Sequence, residues 1–150
     1  MITYCGASDV LKSDKQTIVI PVNTVGVMGA GLALWFKLRY PDLFRKYRSG
    51  CLSGQFKMGN LWLFKDSDRS YLLLPTKIDW RDKSEIEYVD IGLSKLADTY
   101  LSKGITSISI PAIGCGLGGL DFESEVKPLI YKHLDPLPIE VEICTVKRLI

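Results

Sequence analysis

Lys77 lies in the segment Leu74-Pro75-Thr76-Lys77-Ile78-Asp79-Trp80-Arg81-Asp82-Lys83, which crowds amines, carboxylates, a guanidinium and an indole into one short stretch. A lysine amine is a nucleophile only when unprotonated, about one molecule in 2,500 at pH 7 for an unperturbed pKa near 10.4. Desolvation in a closed pocket raises that fraction about tenfold per unit of depression, whereas a neighbouring diphosphate keeps the amine charged. Three readings of Lys77 follow: a nucleophile, a cation that binds phosphate or protonates a leaving group, or an exposed loop lysine. Trp80 and Arg81 suit stacking on, and hydrogen bonding to, a nucleobase. Trp80 equally suits packing under a following helix. The single histidine, His133, falls far from this segment, so no serine or cysteine hydrolase triad assembles around it.

Two glycine-rich turns supply a second kind of chemistry. Asn23-Thr24-Val25-Gly26-Val27-Met28-Gly29-Ala30-Gly31 leaves the apolar run Ile18 to Val22, and Gly114-Cys115-Gly116-Leu117-Gly118-Gly119 leaves Ile105 to Ile113. Glycines at strand ends let backbone N–H groups approach an anion, and a following helix N-terminus adds favourable potential. One such turn alone is as well read as an ordinary tight turn; two in one chain suggest a pocket gripping a diphosphate from both sides. The first lacks the Gly-x-x-x-x-Gly-Lys-Ser/Thr pattern and fits the dinucleotide fingerprint poorly. Asp9, after Ser8, is either an acceptor for a ligand amino group or a turn or N-cap residue.

The elements that must position these groups alternate between strand and helix. Met1 to Cys5, Thr17 to Val22, Asn60 to Phe64, Tyr71 to Leu74, Ile105 to Ile110 and Ile139 to Val146 read as strands. Asp66-Ser67-Asp68 is the polar turn between the third and fourth. Helices are predicted after the first glycine turn up to Tyr40-Pro41, from Pro41 to about Tyr47, from Glu85 to before Gly104, and over Glu123 to Leu134, where Pro128 kinks or delays the helix. Ser84-Glu85-Ile86-Glu87 matches a capping box, and Ile86, Val89, Leu93, Leu96 and Leu101 form a core-facing stripe. The expected fold is α/β, three-layer α/β/α with a central mixed, mostly parallel sheet, in one domain over residues 1–150. Ligands in such sheets bind beyond the carboxyl ends of the strands, where both glycine turns fall.

Composition narrows the class. The chain has 150 residues, 47% hydrophobic and 24% charged, and a net charge of +2, too mild for a general nucleic-acid binder. Lys37, Arg39, Arg45, Lys46 and Arg48 cluster locally and read first as a solvated helix face. Cysteines 5, 51, 115 and 144 lack paired ligand spacing, so neither metal nor cofactor is expected, and Cys5 and Cys144 read as small buried hydrophobes. Asp9, Lys12 and Asp14 interrupt any secretory core, and no window approaches the roughly 20 apolar residues of a membrane span. A cytoplasmic placement with no membrane partner is the expectation.

The three motifs together resemble the macrodomain family. They are Val22-Asn23-Thr24-Val25-Gly26-Val27-Met28-Gly29-Ala30-Gly31-Leu32-Ala33 with Phe36-Lys37 and Tyr40-Pro41, then Pro111-Ala112-Ile113-Gly114-Cys115-Gly116-Leu117-Gly118-Gly119-Leu120, and Leu74-Pro75-Thr76-Lys77 with Trp80-Arg81, Lys83-Ser84 and Glu87. The third is similar to the branch holding DarG antitoxin macrodomains and the terminal ADP-ribose glycohydrolases of animals. The resemblance implies an ADP-ribose site: Asp9 and Val10 at adenine, Asn23 against the distal ribose, and Thr24, Gly26, Val27, Met28, Gly29 and Gly31 around the diphosphate. Ile113, Gly114, Cys115, Gly116, Leu117, Gly118 and Gly119 are implied as the second phosphate loop. Thr76, Trp80 and Arg81 are implied beside a modified base, with Lys77 acting at the anomeric carbon of the distal ribose. The implied activity is removal of ADP-ribose from thymidine in single-stranded DNA or from acidic side chains. A non-catalytic ADP-ribose reader and an ADP-ribose 1''-phosphate phosphatase are the alternatives. Departures from the pattern are Ser8 before Asp9, Gly118 where the animal branch has an aspartate, and Asp79 where a histidine is common. DarG proteins also carry a toxin-binding half, so this chain is expected to be either a fragment or a stand-alone enzyme.

Overall fold

The computed structural model describes residues 1–67 and 69–145. Asp68 of the expected turn and Val146 of the expected last strand lie outside the described residues. Six strands occur among the described residues: β1 (Ile2–Cys5), β2 (Thr17–Asn23), β3 (Trp62–Lys65), β4 (Ser70–Lys77), β5 (Ser107–Pro111) and β6 (Glu140–Cys144). The helices are α1 (Gly31–Arg39), α2 (Pro41–Ser53), α3 (Ile86–Thr99) and α4 (Lys127–Leu134).

The continuous apolar runs of β2 and β4 arise because both faces of these central strands are covered. Ile18, Ile20 and Val22 of β2 and Tyr71 and Leu73 of β4 pack with Phe36 of α1 and Tyr47 of α2. Val19, Leu72 and Leu74 point the other way, onto Val89, Leu93 and Leu96 of α3 and Ile130 and Leu134 of α4. Two cores thus lie on opposite faces of one sheet, which is the three-layer α/β/α arrangement. The sheet order is β1-β6-β5-β2-β4-β3, parallel throughout except for the antiparallel β3–β4 edge pair. Because β1, β2, β4, β5 and β6 run the same way, all their carboxyl ends meet at one edge.

Several expectations are corrected. Helix α2 continues to Ser53, ending at Gly54 in the left-handed conformation (φ 79°). Strand β4 runs on through Pro75 and Thr76 to Lys77, so the expected loop begins later. Ser84 does not cap α3: Glu85 is its N-cap, without a side-chain cap bond. Leu101 falls beyond the helix and is 78% exposed, off the core stripe. Pro128 stands in the first turn of α4, preceded by a π-helical turn over Phe122–Val126, so the regular helix starts later than Glu123. Finally, Cys5 and Cys144 are not independent hydrophobes but form a disulfide, since the parallel β1–β6 register sets them directly opposite. No helix among the described residues is long and apolar enough to cross a membrane.

Candidate functional site

The first glycine loop is organised from its own asparagine. Asn23 ends β2 with 5% exposure, and its Oδ1 accepts from the Val25 and Val27 N–H groups, each at 3.2 Å. Its Nδ2 donates to the Val27 carbonyl at 2.7 Å. From α2 the fully buried Tyr47 donates to the Asn23 carbonyl at 2.8 Å and to Oδ1 at 3.0 Å. Burial pushes the Tyr47 phenol well above its ordinary range, so it remains a donor. The asparagine amide therefore shapes the first glycine loop. Gly26 turns the chain at φ 87°, closely packed against Arg48 and Cys51 of α2, where a side chain has neither the dihedral nor the space. Met28 is a core residue, whereas Val25 and Val27 are partly exposed at the loop's outer side.

Lys77 is positioned by a fault in the sheet. Val22 pairs with Pro75, but Asn23 pairs with Lys77, so Thr76 is passed over at a bulge. Proline has no N–H to give the ladder, and such bulges re-aim side chains at strand ends. The Lys77 Nζ donates to the carbonyls of Trp80 at 3.2 Å and Asp82 at 3.3 Å, and no carboxylate among the described residues pairs with it. Asp79 is taken up by Arg81, through the Nε and Nη2 donors at 2.9 Å each, and Arg81 holds that carboxyl down to about 2. Asp79 consequently stays ionised and is no acid at neutral pH. Trp80 is 53% exposed with the Arg81 guanidinium 5.7 Å from its ring, so packing under α3 is not its place. The Thr24 N–H donates to the Ile78 carbonyl at 2.9 Å, tying the first loop to the Lys77 segment.

The second glycine loop is latched from α3's approach. Ser84, buried, donates its N–H to the Gly118 carbonyl at 2.9 Å, and its hydroxyl lies 3.4 Å from that of Thr76. A Cβ on Gly118 would overlap the Ser84 Oγ and the Gly114 carbonyl. Gly114 takes φ 76° so that its carbonyl can accept from Leu120 at 3.0 Å and close the loop. Ile113 is fully buried at the root, and Leu117 is 83% exposed at the tip beside an open Gly116. Burial first, then the Asp121 and Glu125 charges, push the Cys115 thiol up to about 11, so it is no thiolate at neutral pH.

Asp9 and Val10 lie in the 3-10 turn Ala7–Lys12 that follows β1, with the Asp9 N–H bonded to Gly6 and Val10 in the core. All four predicted segments thus stand at the same edge of the sheet, the glycine loops side by side because β2 and β5 are neighbours. His133 lies elsewhere, its Nε2 2.6 Å from Asp90 Oδ1 across α3 and α4. Tyr47 and Ser84 had no chemical signature in the sequence. For Tyr47 the clue was its place on the inward face of α2; for Ser84 it was hidden by a competing capping pattern. In chemical terms the edge carries the main-chain amides of two glycine loops, suited to an anion, an exposed indole–guanidinium pair, suited to a flat ring, and the amines of Lys77 and, beside Gly119, Lys83.

Comparison with known proteins agrees with this architecture. The Macro domain model matches residues 19–128. A Mycobacterium tuberculosis protein named DNA ADP-ribosyl glycohydrolase is 39% identical over 134 residues, covering 87% of this chain but 38% of that protein. The chain therefore spans well under half the length of that curated relative. The solved macrodomain of Mycobacterium tuberculosis DarG superposes with a TM-score of 0.89 at 36% identity, covering 99% of both chains. Thermosipho africanus DarTG, solved in complex with ADP-ribose, gives 0.87 at 36% identity, over 95% of this chain and 41% of that one. The chain belongs to the Macro domain family.

Proposed function

We propose that this chain is an ADP-ribosyl hydrolase that holds ADP-ribose at the carboxyl edge of the sheet and releases it from a modified nucleobase, thymidine in single-stranded DNA. The observation that carries the reading is the placing of Lys77: it follows a bulge at the end of β4, at the edge where both glycine loops stand, and no carboxylate among the described residues is bound to it. The relatives named for DNA ADP-ribosyl glycohydrolase activity support the same substrate class.

In this reading the amides of Gly26 to Gly31 and Gly114 to Gly119 hold the diphosphate, and Asp9 receives the adenine amino group. Hydrogen bonds to charged oxygens, worth roughly 1.5–3 kcal/mol each, supply most of the affinity. Trp80 stacks on the base and Arg81 orients it. Lys77, unprotonated and leaving the carbonyls of Trp80 and Asp82, forms a C–N bond at the anomeric carbon of the distal ribose as the glycosidic bond breaks. The electron pair goes to the base, which takes the proton shed by the newly formed ammonium, and hydrolysis of the C–N bond restores the amine. Water completes the release of ADP-ribose.

A second reading, a reader that binds ADP-ribose without turnover, draws on the same site: Gly118 leaves no room for the aspartate that animal-branch hydrolases place there. Incubation with ADP-ribosylated single-stranded DNA, beside a protein modified on acidic side chains, separates them. Free ADP-ribose from the DNA is the expected product. Saturable binding of ADP-ribose with no release from either substrate would leave the reader.

A further inference from the structure

We propose that the outer face of α2 is a track for the phosphodiester backbone of the strand whose modified base is held at Lys77. This rests on the DNA-directed reading above. Residues 31–56 carry five cations, Lys37, Arg39, Arg45, Lys46 and Arg48, against the single carboxylate Asp42, a local +4 in a chain whose total is +2. The remainder of the chain is therefore net −2, so the net positive excess lies on residues 31–56.

Two of these cations, Arg45 and Arg48, line a depression of about 500 Å³ together with Phe44, Ser49, Leu52 and Ser53, whereas Arg39 lies over the Tyr40 ring. Lys37 leans into it, its Nζ 4.8 Å from the centre of the Phe44 ring. Arg45 and Arg48 are one helical turn apart and exposed; the i,i+3 pairing of Arg45 with Asp42 is a surface contact that a phosphate can replace. Guanidinium forks suit phosphate oxygens, the serine hydroxyls add donors, and Phe44 with the exposed Leu52 offers apolar contact to bases.

The face is continuous with the site. Arg48 packs against Gly26, and the same loop, through Thr24, bonds Ile78 next to Lys77. On the other flank of the Lys77 segment, the depression of about 340 Å³ lined by Ile78, Asp82, Lys83, Glu85 and Tyr88 carries two carboxylates against one amine. Charge complementarity therefore routes a polyanion over α2 and not over α3.

The test compares Arg45→Gln/Arg48→Gln with Lys95→Gln/Lys132→Gln, which removes the same charge from exposed positions of α3 and α4. Glutamine keeps the Cγ that packs beside Gly26, and circular dichroism melting confirms the fold of both. Binding of unmodified oligo-dT is followed by fluorescence anisotropy across salt concentrations. The α2 variant should bind tenfold or more weakly, with the slope of log K against log salt shallower by about 1.4, two phosphate contacts at roughly 0.7 each. Its KM for an ADP-ribosylated oligonucleotide should rise tenfold while release from ADP-ribosyl-thymidine, which has no backbone to follow, is unchanged. Equal behaviour of the two double variants would overturn the track and leave the patch to an acidic protein partner. Equal slowing on oligonucleotide and nucleoside would overturn it as damage to the loop. If the unaltered protein releases ADP-ribose from nothing, the hydrolase reading fails, and the difference in oligo-dT binding alone decides whether the track exists.

Discussion

Lys77, the proposed catalytic amine, and Tyr47, which shapes the first glycine loop, are two kinds of residue at this site. Lys77→Ala removes the amine but none of the loop amides, so ADP-ribose affinity by calorimetry should stay within a few-fold while release from modified DNA is abolished. Unchanged turnover would discard the lysine's role and leave the fold standing. Tyr47→Phe keeps the ring that packs with Phe44 and Phe56 and loses the hydroxyl that holds Asn23. The net loss of a buried hydrogen bond is about 1 kcal/mol, more where an acceptor is left unpaired. Stability should fall by that order, and because the Asn23 oxygen orients Val25 and Val27, ADP-ribose should bind more weakly too. A variant that melts lower yet binds ADP-ribose as before would reduce Tyr47 to a packing residue. Spacing left Lys77 open between a nucleophile, a phosphate-binding cation and an exposed loop lysine, and only the resemblance to a family chose among them. Tyr47 was not legible, since its function lies in a hydroxyl reaching across to a strand that sequence spacing does not relate to α2.

At the level of elements, packing decides where pattern misled. Ser84-Glu85-Ile86-Glu87 satisfies the capping rule, yet Ser84 is drawn one residue out of the helix by Gly118 and Thr76, and Glu85 becomes the N-cap instead. Tertiary hydrogen bonds outweigh a local cap worth about 1 kcal/mol. Pro75 likewise reads as a strand end, but it sits in the ladder opposite Val22, just before the bulge and beyond Leu73, the last residue that β4 pairs with β3. That both glycine turns leave strands at the carboxyl edge was legible, and the structure adds a packing reason for one glycine. Gly118→Asp, which would imitate the animal branch, must push Cβ into Ser84 and the Gly114 carbonyl. Overpacking of this kind costs typically 1–3 kcal/mol, so urea unfolding should show that loss, and turnover should fall through the displaced loop. A stable, more active Gly118→Asp protein would contradict this packing argument.

Across the whole molecule, the pairing of β1 with β6 was beyond reach of the sequence, because a parallel edge register is set by the fold and not by either strand alone. Cys5 and Cys144 were therefore read as separate apolar residues, though 139 positions of chain close into a loop through their disulfide. In the chain-entropy model a loop of that length contributes about 5 kcal/mol, and native disulfides deliver typically 2–5. Urea unfolding with and without reductant should differ by that amount, and Cys5→Ser should match the reduced protein. Under denaturing, non-reducing conditions only Cys51 and Cys115 should react with a thiol reagent. Four reactive thiols would remove the bridge from the account. The site should respond much less than the fold, since the glycine loops and Lys77 hang on β2, β4 and β5, while the bridge joins β1 to β6 at one side of the sheet. Only the turn carrying Asp9 follows directly from a bridged strand. Reduction should thus weaken ADP-ribose binding only through adenine: free ribose-5-diphosphate, lacking the base, should bind the reduced and oxidised proteins alike, and a parallel loss for both ligands would show that the edge strands support the entire cleft.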